Sequence, residues 1–464
     1  MANQMKEESI IYRLITSPLQ RFAKIEGLGG ILLLAATVLA IFWANSPWGN
    51  VYESIWQYKI GIDADTFHLK KPVILWINDG LMAIFFFLIG LEIKRELIIG
   101  ELNTPKKAAL PIFAAVGGMI LPVMFYTLLN KNPDAAQGWG IPMATDIAFS
   151  LAIINALGKR VPVAIKVFLT AFAIIDDLGA VLIIALFYSE DLHVNLLLIS
   201  VIPLLILFIA NRFGYYSRFV WIVLGIAIWV LFLKGGIHPT IAGVIIAFTI
   251  PIKRKIEVKE YRNTLTELGQ KLDKSTAAES MILTHEQAEQ IHELEQVIRK
   301  VQSRLQEQEH KLHGLVTFFI LPLFALANAG VVFNMEEGLD WHIAMTIAVS
   351  LFVGKFIGIP LFTWIGIKLK LTELPTGIKF SKIFGVGLLA GVGFTMAIFI
   401  ANLAFLNQPI LTNSAKIGIL IGSFCAGVIG YVVVRFSTRE YAEKLKEKED
   451  SDGKITGPDI KEDL

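Results

Sequence analysis

Cysteine and charge are both scarce in this 464-residue chain, and each shortage excludes a class of protein. The single cysteine, Cys425, lies in an apolar run, which excludes an intramolecular disulfide. Charged residues make up only 18% of the chain, against about 25% in soluble globular proteins, so a soluble enzyme is not expected. The formal net charge of +2 is too small to indicate binding to nucleic acid.

The charges that are present concentrate in three segments. Residues 1–25, 253–313 and 435–464 hold 44 of the 82 charged residues, so the rest of the chain is an apolar body. Because a helical membrane span needs about 20 mostly apolar residues, we predict an all-α polytopic membrane protein with about twelve spans. These spans are predicted at 27–45, 73–92, 108–130, 140–158, 163–187, 192–211, 216–234, 235–252, 314–334, 341–367, 382–406 and 415–435.

Lysine and arginine in the short loops predict the orientation, since these residues resist translocation. The loops after spans 2, 4, 6 and 10 carry 13 of them and the opposite loops carry six, so both termini are predicted to be cytoplasmic. The charged N-terminal segment has no small-residue cleavage site, and we expect no removable signal peptide. The predicted domains are a membrane transport domain (1–252 and 314–436), a cytoplasmic amphipathic helical insertion (253–313) and a charged, disordered tail (437–464).

Two segments outside the spans bear on assembly. In the insertion, apolar residues from Ile291 to Leu312 recur on one helical face, which is typical of a helix that packs on another helix or a second subunit, or of an ordinary solvated helix. Residues 51–73 alternate weakly around Gly61, which favours a short external hairpin. A homodimer is compatible with both features and required by neither.

Ionisable residues interrupt four of the predicted spans. They are Asp79, Asp146 (after Thr145), the adjacent pair Asp176 and Asp177, and Lys355. A charge at membrane depth costs a few kcal/mol and persists mainly where it lines a watery path or has a partner. Neighbouring helical residues point about 100° apart, so one carboxylate of the pair can bind a cation while the other faces Lys355. The alternative is that both aspartates only hold helices together.

Carboxylates bind small hard cations and also exchange protons, and competition for one site is sufficient for exchange. The chain has no phosphate-binding loop of the G-x-x-x-x-G-K-[ST] type, so an ATP-driven pump is not expected. Pro142 and the Thr145-Asp146 pair predict a helix broken at membrane depth. Gly391, Gly393 and Thr395 predict a second break in span 11, although glycines alone are also typical of tight helix packing.

Six segments resemble the NhaA-type sodium/proton antiporter family in combination. They are Asn78–Met82, Gly90–Glu96, Ala144–Ser150, Ala173–Gly179, Phe319–Gly330 and Gly393–Met396. The family is itself an example of the inverted-repeat transporters, so the resemblance implies repeated triplets (spans 3–5 and 10–12) with two broken, crossing helices in spans 4 and 11.

The resemblance implies an electrogenic exchanger of the bacterial cell inner membrane that uses inward proton flow to expel Na+ or Li+ and regulates intracellular pH and sodium without a cofactor. Asp177 matches the principal cation and proton ligand, and Asp176 matches a neighbour that can pair with Lys355. Thr145 and Asp146 match residues of the first broken helix, where Asp146 would offset the partial positive ends of two half-helices. Asp79 matches a further buried acid.

The family is also shut down at acidic pH, and five positions match residues implicated in that response. They are Glu92, His238, Glu309, His310 and His313. A histidine titrates near neutrality, which suits a sensor, although ordinary interfacial polar residues are the alternative for each position. The stretch from Lys255 to about Gln306 departs from the family, in which a short loop is expected.

Two other functions remain open from the residues alone. A proton- or sodium-coupled symporter of an organic solute would need a dedicated arginine or aromatic cluster, which the central polar residues do not include. An intramembrane aspartyl hydrolase would need two aspartates from different helices around one water, whereas the adjacent acids here share a helix. We therefore favour a transporter over an enzyme.

Overall fold

The structure is a computed structural model that describes residues 28–64, 67–189, 192–215, 217–252, 303–332, 338–374 and 379–439, with a few isolated positions beyond these ranges. Most of the predicted insertion, the charged tail and residues 1–27 lie outside the described residues. The described part is mostly helical.

Fourteen α-helices are named here in chain order, with two strands and one long 3₁₀ helix. They are α1 (Leu28–Ala44), α2 (Gly49–Gln57), β1 (Lys59–Ala64), β2 (Phe67–Pro72), α3 (Val73–Ile98), α4 (Pro105–Leu129), the 3₁₀ helix (Pro133–Met143), α5 (Ile147–Ala156), α6 (Val163–Phe187), α7 (Val194–Arg212), α8 (Arg218–Gly235), α9 (Thr240–Thr249), α10 (Arg304–Asn328), α11 (Trp341–Lys368), α12 (Ser381–Ala390), α13 (Phe394–Ala404) and α14 (Pro409–Ser437).

Eight of these helices are long and apolar enough to cross a membrane. They are α3, α4, α6, α7, α8, α10, α11 and α14. Three bent pairs bring the number to as many as eleven within the described residues: α1 with α2 at 113°, the 3₁₀ helix with α5 at 44°, and α12 with α13 at 48°. The chain is therefore a mostly helical, multi-span membrane protein.

The segment predicted as span 235–252 contains a helix of only ten residues, α9. Gly236 has a left-handed backbone (φ 82°) that ends α8, and Pro239 immediately precedes α9. Pro251 lies just beyond its end. The mean hydropathy of residues 235–252 does not reveal these breaks, because a glycine or a proline can interrupt a helix while the segment stays apolar.

The predicted hairpin is present, so the chain is not strictly all-α. Strands β1 and β2 pair antiparallel, with Lys59 opposite Pro72. The hairpin is followed directly by α3, whose second turn is a π-helix, Trp76–Leu81.

The chain forms two compact units. The first comprises the described residues of Met1–Met82, Glu96–Glu190 and Val316–Leu464. In it, α11 packs on α4, α12 and α14. Helices α4 and α11 meet at Gly117 and Gly358, where a β-carbon on either residue would overlap the carbonyl oxygen of the other. Glycine is therefore required for this close approach.

The second unit comprises the described residues of Ala83–Arg95 and Asp191–Leu315. In it, α7 packs on α8, and α9 contacts both helices. Lys94 donates from Nζ to the carbonyl oxygens of Phe248 (2.7 Å) and Ile250 (2.5 Å). A lysine thus satisfies carbonyl groups at the C-terminal end of α9, where a positive charge is favourable.

Candidate ion-binding site

Two helix interruptions in the first unit lie against each other. The first, residues 144–146, separates the 3₁₀ helix from α5, and the second, residues 391–393, separates α12 from α13. The backbone N–H of Asp146 donates to the carbonyl oxygen of Val392 (2.7 Å). A β-carbon on Gly393 would lie 2.7 Å from the carbonyl oxygen of Ala144, so the contact between the interruptions requires a glycine.

The carboxylate of Asp146 caps the helices that follow both interruptions. Its Oδ1 accepts from the backbone N–H of Phe149 in α5 (3.1 Å). Its Oδ2 accepts from the backbone N–H (3.0 Å) and the hydroxyl (2.5 Å) of Thr395 in α13. One negative charge, 2% exposed, therefore opposes the partial positive ends of two helices and satisfies N–H groups of both.

The acidic pair and the lysine are completely buried and come from two helices. Asp176 and Asp177 lie in the middle of α6, and Lys355 lies in the middle of α11. Lys355 Nζ donates to Asp176 Oδ2 (3.1 Å), with relative exposures of 0% and 1% for the two side chains. The ring centroid of Phe172, one turn before Asp176, lies 6.0 Å from the same nitrogen. A pairing of Lys355 with one of the two adjacent acids is expected from the sequence, and in the structure that acid is Asp176.

Thr145 connects the ion pair to the interruptions. Lys355 Nζ also donates to Thr145 Oγ1, and that hydroxyl donates to the carbonyl oxygen of Ala390 (3.2 Å), the last residue of α12. Contacts therefore run from Asp176 through Lys355 and Thr145 to both interruptions.

One oxygen of the buried pair is unsatisfied. Asp176 Oδ1 is buried and has no hydrogen-bond partner among the described residues. Asp177 beside it is also buried. An unsatisfied carboxylate oxygen in a poorly solvated place can accept a cation, because a buried polar atom without a partner is costly.

Asp79 lies in another cluster of contacts in the first unit. It occupies the π-helical turn of α3, a type of turn that is frequent at functional sites, and pairs with Lys71 of β2 at 3.1 Å. Lys71 could not be identified from the sequence, because nothing in the run Lys70-Lys71-Pro72 indicates which lysine reaches the span.

The five residues matched to the pH response belong to the second unit. Glu309 accepts from Arg95 of α3 (3.2 Å), whereas His310 and His313 are exposed. His238 is buried, and its Nδ1 lies 2.7 Å from Thr240 Oγ1. Glu92 is half-buried on α3.

Sequence reasoning missed a buried amide cluster in the first unit. Asn328 of α10 exchanges two hydrogen bonds with Asn78 (3.1 and 2.8 Å) and accepts a third from Asn402 of α13 (2.8 Å). Asn78 and Asn328 lie in two of the family-like segments, but nothing in the sequence shows that their amide groups meet.

Comparison with known proteins places the chain in a family. The family described as Na+/H+ antiporter 1 matches residues 20–434. The chain belongs to this family. It is 44% identical over 428 residues to a protein named Na(+)/H(+) antiporter NhaA from Oleidesulfovibrio alaskensis, covering 92% of this chain and 95% of the relative. Identically named relatives from Bacteroides thetaiotaomicron (43% identical, covering 91% and 98%) and Phocaeicola vulgatus (44%, covering 90% and 95%) match equally broadly.

A metal centre of the usual protein type is not found in the described part of the chain. No group of three or more His, Cys, Asp or Glu side chains there could hold a metal ion.

Proposed function

We propose that the chain is a secondary active antiporter that extrudes Na+, or Li+, in exchange for protons across the inner membrane of a bacterium. The observation that carries the proposal is the buried Lys355–Asp176 pair, which lies next to Asp177, contacts the first helix interruption directly and reaches the second through Thr145. Family membership supports the same exchange, since the relatives are named as Na+/H+ antiporters.

Asp177 is proposed as the principal cation and proton ligand, and Asp176 as its partner. The cation would compete with protons at Asp177 and with Lys355 at Asp176. The unsatisfied oxygen of Asp176 supports this assignment, because a cation bound there would satisfy an acceptor that has no partner in the described residues. Carbonyl oxygens freed at the two interruptions can complete the hard oxygen ligands that an alkali cation needs.

The exchange is proposed to be electrogenic. When one cation binds Asp176 in place of Lys355 and Asp177 in place of a proton, two protons can leave, one from the lysine and one from the Asp177 carboxyl group. More than one proton would then cross for each Na+, so each cycle would move net charge and respond to the membrane potential. This exchange would regulate intracellular pH and sodium.

The remaining architecture is part of the proposal. The two bent pairs beside the site, the 3₁₀ helix with α5 and α12 with α13, would be the broken, crossing helices of an inverted repeat with twelve spans. Both termini, the 253–313 insertion and the 437–464 tail would be cytoplasmic. Glu92, His238, Glu309, His310 and His313 would set the pH response.

The proposal is tested in everted membrane vesicles from a host that lacks its own Na+/H+ exchange. Adding Na+ or Li+ should dissipate a preformed pH gradient when the chain is present. The variant Asp177→Asn should abolish this response at equal membrane content, whereas Asp134→Asn, which alters an exposed acid, should keep it. Full activity in the Asp177 variant would refute the assigned site, and no response with either cation would refute the function.

A further inference from the structure

Helix α13, which follows the second interruption, is buried along almost its whole length. Of its eleven residues, Asn402 and Leu403 alone are partly exposed. Its two polar side chains are Thr395, in the first turn, and Asn402, in the last turn. The other side chains are apolar, and the hydrophobic effect that buries them has no preferred direction. The directional side-chain contacts of this helix therefore come from two residues.

The first of these residues joins α13 to the ion-binding site. The N–H group and the hydroxyl of Thr395 both donate to the carboxylate of Asp146, which caps the helix. Asn402 lies seven residues later, so the two side chains leave the same face of α13, about 10 Å apart along its axis. A rotation or a shift of the helix at Asn402 is therefore also a displacement at Thr395.

The second residue bonds to an amide whose hydrogen-bonding capacity is completely used. Asn328 of α10 donates from Nδ2 to Asn78 Oδ1 (2.8 Å) and to the carbonyl oxygen of Phe324 (3.0 Å). Its Oδ1 accepts from Asn78 Nδ2 (3.1 Å) and from Asn402 Nδ2 (2.8 Å). A side-chain amide has two N–H donors and two acceptor lone pairs, so all four are occupied.

The backbone fixes which way this amide faces. The carbonyl oxygen of Phe324 can only accept, so the Nδ2 of Asn328 must lie on that side and its Oδ1 must face Asn402. The residue at position 402 therefore has to be a donor. Asparagine meets this requirement, whereas an apolar side chain of the same size does not.

The amide cluster anchors α13 to two other helices. Asn328 is 0% exposed, and Asn78, in the π-helical turn of α3, is 8% exposed. Phe324 of α10 and Phe399 of α13 pack beside the cluster, with ring centroids 6.3 Å apart. Buried polar networks that are fully satisfied rigidify the elements they join. The last turn of α13 is thus held in one place on its neighbours.

We propose that Asn402 is a positioning residue for the ion-binding site. Its bond to Asn328 holds α13 where Thr395 meets Asp146, at the contact between the two interruptions. Loss of the bond would leave every charged residue of the site in place but would loosen one of the helices that the site is built on. The inference rests on the proposed function and adds a residue that touches neither the cation nor the carboxylates.

The test uses the full chain in the same everted vesicles, at equal membrane content. The Na+ concentration for half-maximal response and the maximal response are measured separately. N402L removes the donor and keeps the volume. It should raise the half-maximal concentration about fivefold, the factor that one hydrogen bond contributes, because a less preorganised site binds its cation more weakly. The maximal response should stay within about a factor of two.

The matched control is N45L. Asn45 also donates from Nδ2 to a carbonyl oxygen of a distant segment, that of Val331, but it does not involve α13. Each variant should lower the melting temperature of the purified protein by no more than about 4 °C, since each loses bonds of one partly or fully exposed amide. N45L should leave the half-maximal Na+ concentration unchanged.

A double variant tests the route from Asn402 to the site. T395V removes the hydroxyl bond to Asp146 and should itself raise the half-maximal Na+ concentration. If Asn402 acts through Thr395, N402L/T395V should raise it by less than the product of the two single factors. The full product would overturn this route.

Three other outcomes would overturn the inference. They are an unchanged half-maximal concentration in N402L, a loss of maximal response alone, and an equal rise in N45L, which would indicate a general loss of stability. In each of these cases the wild-type chain still responds to Na+. A wild type that gives no response refutes the proposed function instead, so the two failures are distinguishable.

Discussion

Replacing Lys355 should destabilise the protein more than replacing Lys355 and Asp176 together. In Lys355→Met, the Asp176 carboxylate keeps its burial but loses the only partner that the structure gives its Oδ2. In Asp176→Leu, the ammonium of Lys355 keeps the Thr145 hydroxyl and the nearby charge of Asp177 but loses its only ion pair among the described residues. Each single substitution therefore removes the ion-pair partner of a buried charge.

The expected loss of unfolding free energy follows from the burial of the Lys355–Asp176 pair. Removing one partner of a buried ion pair costs about 3–5 kcal/mol, because the remaining charge is uncompensated, whereas replacing both partners with apolar residues of similar volume is often neutral. The side chains of this pair are 0% and 1% exposed, so the values for buried ion pairs apply to it. The double variant should therefore be more stable than either single variant, with a coupling free energy of about 3 kcal/mol or more.

The assay is unfolding of the detergent-purified protein, followed by the fluorescence of its nine tryptophans. Wild type, the two single variants and the double variant form a double-mutant cycle. Lys131→Met, at an exposed position, is the control and should change the free energy of unfolding by no more than about 0.5 kcal/mol. If the two single effects simply add in the double variant, the Lys355–Asp176 contact is not a coupled pair and the reasoning is wrong.

Two further predictions concern the helix interruptions and the packing between α4 and α11. Asp146→Ala removes the caps of α5 and α13 together and should lower the unfolding free energy by about 2–4 kcal/mol. The control Asp134→Ala, at an exposed position, should lower it by less than about 1 kcal/mol. Equal losses in the two variants would contradict the double cap. Gly358→Leu should sharply reduce the amount of folded protein in membranes, because the leucine side chain would overlap the backbone at Gly117. The control Gly314→Leu should be tolerated, because a β-carbon at Gly314 has no atom within 4 Å.

Much of the helical framework follows from hydropathy alone. Residues 163–187 are both the predicted fifth span and the observed α6. The interruption between α12 and α13 falls at the glycines that predict it, Gly391 and Gly393. Apolar length and helix-breaking residues act locally, so the sequence reveals them. Where the two conflict, as in α9, apolar length alone overestimated the helix.

The candidate residues could be predicted from the sequence, and so could the pairing of Lys355 with one of the two adjacent acids, but not the individual hydrogen bonds. A charge in an apolar run is visible in the sequence, and this identifies Asp176 and Lys355. Which oxygen meets which donor is set by packing between positions as far apart as Thr145 and Lys355, so one sequence does not determine it. The amide pair of Asn78 and Asn328 was missed for the same reason, since each is ordinary until its partner is known.

The contacts of Thr145 suggest how ion exchange and helix movement can be one event. Its hydroxyl accepts from Lys355 and donates to Ala390, while its neighbour Asp146 caps the helices beyond both interruptions. If a cation displaces Lys355 from Asp176, as proposed, the other contact of the same ammonium group, with the Thr145 hydroxyl, becomes free to change. On this proposal, the hydroxyl of Thr145 would couple the occupancy of the carboxylates to both interruptions, because it contacts Lys355 on one side and Ala390 on the other.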